Sequence, residues 1–107
     1  MPALYTVYVS AHSYRRAFER WRVIGVSRFL RVLKNVLKQG VVVADQGRHI
    51  WIRHGDRGVV LRRLGGETWL VVTVGCGELK GFSKLREPAR SPFAGREVRL
   101  KFKRRQV

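Results

Sequence analysis

Carboxylates are scarce in this chain: 7 of its 107 residues are Asp or Glu, against 23 Lys and Arg, which leaves a formal net charge of +16. The few acidic residues are scattered singly, so no paired-carboxylate site and no magnesium-dependent nuclease site is expected, because such sites need several carboxylates to hold the metal. A single cysteine, Cys76, excludes an intramolecular disulfide and a cysteine-based zinc site, and its Gly75-Cys76-Gly77 setting suits a turn. Long apolar runs are missing too. Nothing reaches the length of a membrane span, and the first residues lack the charged-then-apolar pattern of a secretory signal. The expectation is a cytoplasmic protein with no membrane partner, no metal and no cofactor.

Hydrophobic residues make up 45% of the chain, enough to bury a core despite the charge. The length suits one domain, residues 1–107, and neither a linker nor an internal repeat divides it. Arginine clearly outnumbers lysine and is spread along the whole chain. Its planar guanidinium suits phosphates and stacks on bases, so charge of this density points to a polyanionic partner, RNA or DNA before an acidic protein.

Residues 4–10 alternate tyrosine and valine as a strand does, and Ser10 is placed to cap a helix over 11–22. Tyr14, Ala17, Phe18 and Trp21 recur at helical spacing and mark its buried face. Gly25-Val26 breaks the run, Ser27 is placed to cap a second helix, and Phe29, Leu30, Leu33, Val36 and Leu37 form that helix's apolar stripe. Arg31, Lys34 and Lys38 gather elsewhere on its surface, and Gly40 ends it. From Val41 the period becomes that of strands, with turn residues setting off 41–45, 48–54, 59–64 and 67–74. Residues 78–85 and 97–103 could each form a short strand around a proline-containing loop, with a frayed basic end from about 101. The fold class is α+β: an N-terminal strand and two helices packed on one face of an antiparallel meander sheet.

A two-residue Gly65-Gly66 turn places Leu61 opposite Leu70 and Val59 opposite Val72 on the helix-covered face, with Arg62 opposite Trp69 on the other. A loop of two or four residues within 55–58 then puts Ile52 inside and Trp51 and Arg53 outside, whereas three residues would reverse that strand. The open face would carry Trp51, Arg53, Arg62, Trp69 and Thr73, aromatic planes and guanidinium groups fit for bases and phosphates. The alternative is that both tryptophans are core and the arginines solvate an edge. On the first helix His12, Arg16 and Arg20 stand at i, i+4 and i+8 on one side. They form either an acid/base group beside two cations, as metal-free RNA cleavage requires, or a solvated stripe with Glu19 bridging to an arginine. His49 and His54 complete the histidines, at spacings that match no metal-binding helix motif.

The string His12-x3-Arg16-x2-Glu19-Arg20, followed by Gly25-Val26-Ser27, Leu37-Lys38-Gln39-Gly40 and Val71-Val72-Thr73-Val74, resembles RelE/BrnT-like toxin-related small proteins. These belong to the ribonuclease group of barnase, EndoU, colicin nucleases and RelE. The resemblance spans roughly residues 9–74. Residues 21–24 stand as an insertion of about one helical turn, and residues 76–107 have no counterpart. It implies a RelE-like sheet, a site of His12, Arg16, Arg20 and Thr73, metal-independent RNA cleavage and an acidic antitoxin as partner. Two functions are therefore in play: a toxin-like ribonuclease, or a non-catalytic nucleic-acid-binding accessory protein of a virus or mobile element.

Overall fold

A computed structural model describes residues 4–76 and 84–103. The chain runs β1 (Leu4–Val9), α1 (Ala11–Trp21), α2 (Val26–Gln39), β2 (Val41–Asp45), β3 (His49–His54), β4 (Arg57–Gly65), β5 (Thr68–Cys76), β6 (Lys84–Arg90) and β7 (Glu97–Phe102). All seven strands join one open sheet in the order β6-β2-β3-β4-β5-β1-β7. The expected meander is present as β2 to β5, antiparallel throughout. The sheet as a whole is mixed, however, because β1 lies parallel to both β5 and β7. Parallel neighbours need a long crossover, and the two helices between β1 and β2 supply one.

Seven strands laid flat would hold their outer members about 29 Å apart, yet the chain passes from Arg90 to Glu97 in seven residue steps, some of them in turns. Seven extended steps cover at most about 25 Å. The sheet must curl, bringing its two edges toward each other around α2. Ser91, at the start of that connection, donates its hydroxyl to the Leu37 carbonyl at 2.5 Å. Phe93 sits edge-on to Tyr5 and Trp69 with ring centroids 5.5 and 5.3 Å away. The concave side thus holds the main core: Ala17 and Trp21 of α1 and Phe29, Leu33, Val36 and Leu37 of α2, against Val7, Val9, Ile50, Ile52, Val59, Leu61, Val71 and Val74.

Local sequence accounts for the helix ends, with two corrections. Ser10 caps α1 as expected, its hydroxyl accepting the Ser13 N–H at 3.1 Å. α2 is capped not by Ser27 but by Gly25, whose φ of 95° favours glycine. Gly40 ends α2 with an ordinary φ of −79°. Here glycine is required by crowding, since a Cβ would stand 2.5 Å from the Val36 carbonyl and 2.8 Å from that of Arg53. Phe18, expected in the buried face of α1, is half exposed. Cys76 is the last residue of β5 rather than a turn residue, and its thiol donates to the Arg20 carbonyl.

The register explains which side chains face out. β3 and β4 are joined by the two-residue loop Gly55-Asp56, with His54 opposite Arg57, so Ile52 is inside and Trp51 and Arg53 are outside. The β4–β5 turn departs from expectation: Gly65 pairs with Thr68, and the register shifts between Arg63 and Gly65. Leu61 therefore faces Val71, and Trp69 lies opposite Arg63. A one-residue slip turns a side chain to the other face, and Trp69 is in the concave core at 4% exposure. A second shift between Val60 and Leu61 leaves Val72 as an extra residue and pairs Thr73 with Val60. That bulge returns Thr73 to the convex face.

Candidate nucleic-acid interface

The convex face is divided. Around Trp51 it is closed: Trp51 is fully buried with Ala44 and Val60, and Val43 packs against them. Trp51 and Trp69, expected as base-stacking planes, are thus both packed side chains, Trp51 in this second cluster and Trp69 in the main core. A large aromatic ring gains more from such burial than from exposure. The Arg63 guanidinium stacks over the Trp69 ring at 4.6 Å, held by its Nε–H donating to the Gly47 carbonyl at 2.9 Å.

Beside that cluster the face is open. The pairings Lys101↔Tyr8, Tyr8↔Leu70, Leu70↔Arg62 and Arg62↔His49 set five side chains in one row across β7, β1, β5, β4 and β3. Residues paired across neighbouring strands share a face, and this is the face away from the helices. Arg62 and Lys101 are exposed, while Tyr8, Leu70 and His49 are partly exposed. With strands about 4.8 Å apart the row spans about 19 Å. Below it runs a second row, Arg99, Thr6 and Thr68. Arg53 lies further along, opposite Gly58, with its Nε–H donating to the Gly55 carbonyl.

Of the anticipated interface residues, Arg62 stands in this open row and Arg53 at the far end of the same face. Arg31, Lys34 and Lys38 lie on the outer side of α2, where Arg31 and Lys34 line a groove of about 490 Å³ with Leu30, Val98, Arg99 and Leu100. Tyr8, His49 and Lys101 were missed. Their one sequence signal is the polar half of the strand alternation, in which Thr6 and Tyr8 interleave with Val7 and Val9. His49 lies opposite Arg62 through the antiparallel β3–β4 register, whereas only the parallel placement of β1 brings Tyr8 and Lys101 into the same row.

The His12 group is brought together only in part. α1 runs along β5 where β1 no longer pairs with it, and its side chains satisfy strand carbonyls. Ser13 donates to Val71, Arg20 to Val74 at 2.6 Å, and Trp21 Nε1 to Gly75 at 2.9 Å. The Thr73 hydroxyl also points to the Val74 carbonyl, at 3.4 Å, so Arg20 and Thr73 meet on one acceptor. Arg16 is ion-paired with Glu19 at 3.2 Å on the surface. His12 is exposed, with no side-chain hydrogen bond among the described residues, and lies about 12 Å along the helix axis from Arg20. Among the described residues no three His, Cys, Asp or Glu side chains gather as a metal site, and no helix is long and apolar enough to cross a membrane.

Compared with known proteins, the chain matches no family model, no curated protein and no solved structure.

Proposed function

We propose that this protein binds single-stranded RNA across the open half of its convex sheet face. The observation that carries the reading is the row Lys101, Tyr8, Leu70, Arg62 and His49. One aromatic plane and one aliphatic side chain lie between two exposed cations, and Arg99 stands one step away on β7. Unpaired bases need a stacking surface, and the phosphates between them need cations. A sheet face that offers both side by side serves a strand whose bases are splayed out. The net charge of +16 adds attraction over the whole surface and accelerates encounter.

Binding without turnover fits the site better than ribonuclease chemistry does. Cleavage would need His12 poised with a cation at one phosphate. Arg20 and Thr73 are engaged with the main chain, Arg16 is paired with Glu19, and His12 stands apart. On this reading a RelE-like scaffold would serve binding, since a fold does not fix an activity. Fluorescence anisotropy with a labelled oligouridine tests the reading. Wild type is expected to bind, and the pair Arg62→Glu with Lys101→Glu to lose binding, with an oligothymidine reporting any preference for RNA. An unchanged affinity in the double variant would move the interface elsewhere.

A further inference from the structure

The two outer strands of the sheet differ. β6 carries Pro88 within the strand, a residue that cannot donate to a neighbour and so blunts an edge. β7 has no proline, and among the described residues it pairs on one side only, with β1. Lys103 donates its N–H to the Val9 carbonyl at 2.7 Å. Alternate residues of a strand address the same neighbour, so Arg99 and Lys101 also face β1. The backbone N–H and C=O groups of Val98, Leu100 and Phe102 therefore face away from the sheet. The groove against α2 lies along this edge, floored by Leu30, Val98 and Leu100 and rimmed by Arg31, Lys34 and Arg99.

We infer that the β7 edge is a docking site for an extended acidic peptide segment of another protein, which adds to the sheet as an eighth strand. Val98, Leu100 and Phe102 supply donors and acceptors at the two-residue repeat that a peptide backbone matches. Side chains of the added strand alternate between the groove and the convex face. On the groove side they meet an apolar floor beneath Arg31 and Lys34, and on the other side they meet Arg99 and Lys101. Cations thus flank both faces of the added strand, and acidic side chains complement them. A second copy of this chain is a poor occupant, because an antiparallel β7–β7 pair sets Arg99 and Lys101 against their counterparts, and like charges opposite each other are destabilising. Nucleic acid is poorer still along this edge, where every second backbone group is a carbonyl directed at the phosphates. The inference shares Arg99 and Lys101 with the RNA-binding row, but it rests on the outward backbone groups of β7, which that surface does not use.

The test uses the full chain and a fluorescein-labelled, end-blocked peptide of alternating glutamate and valine. Two further versions are N-methylated, one at the valines and one at the glutamates. The parent peptide is expected to bind, with amide exchange at Leu100 slowed. One of the two methylated versions should bind about tenfold more weakly, since it alone loses the donors that face β7. Arg31→Glu combined with Lys34→Glu should weaken the parent while leaving thermal stability unchanged, as both side chains are exposed. Equal binding of all three peptides would overturn strand addition in favour of plain charge attraction. Displacement of bound peptide by oligouridine with the same amides protected would give the groove to nucleic acid instead. A concentration-dependent dimer, lost in the same double variant, would give it to a second copy.

Discussion

Trp51 lies across Gly58 on the neighbouring strand, so close that a Cβ at Gly58 would stand 2.5 Å from the indole nitrogen. The ring is fully buried with Ala44 and Val60. Glycine here makes space, and the space is used by one of the two tryptophans of the sheet. Gly58→Ala should cost about 1–3 kcal/mol of stability, the usual penalty for overpacking a tight site. Chemical denaturation measures it, and RNA affinity of the folded fraction should not change. An alanine variant as stable as wild type would mean that the indole moves aside at little cost.

Much of the architecture is visible in local patterns. The helical stripes, the Ser10 cap and the turn at Gly55-Asp56 place both helices and the β2–β5 meander within a few residues. What local patterns do not carry is the partner of a strand distant in sequence: nothing in residues 4–9 says that they insert between β5 and β7. Nor do they carry bulges. The register shifts beside Leu64 and Val72 depend on how β5 meets β4, and the first of them decides that Trp69 is core. Arg62 could be placed on the outer face because it lies between Leu61 and Arg63 on a strand whose apolar side was identified correctly. Tyr8 and Lys101 could not, because they join Arg62 only through the parallel pairing.

If phosphates are held by the open row, log K for single-stranded RNA should fall linearly with log salt, and Arg62→Ala and Lys101→Ala should each reduce the slope by about 0.7, the value of one phosphate contact on a single strand. Titrations at several salt concentrations give these slopes directly. A change in affinity with no change in slope would show that the side chain acts through shape and not through charge.

His12→Ala should leave both RNA affinity and RNA integrity as they are in wild type, because the imidazole is exposed and about two helical turns from Arg20. Incubating each protein with end-labelled RNA in chelator and resolving the products on a denaturing gel checks this. Appearance of 2′,3′-cyclic phosphate ends with wild type, and their loss with the variant, would restore His12 as a proton-transfer group.

The sharpest test of the binding face is Tyr8. Its ring lies between Lys101 and Leu70 on the convex side, it is partly exposed, and it takes no part in the concave core. A stacking role and a packing role therefore give different results. Tyr8→Ala should cost about 1–3 kcal/mol in single-stranded RNA binding, the range for removing one stacking plane. Its effect on stability should stay within about 1 kcal/mol, as for substitutions outside a packed core. Tyr8→Phe keeps the plane and should keep most of the affinity. Duplex RNA, whose bases already stack on one another, should bind the wild type and Tyr8→Ala alike, through its phosphates alone. A loss of equal size for duplex and single strand would show that Tyr8 supports the cations around it and touches no base.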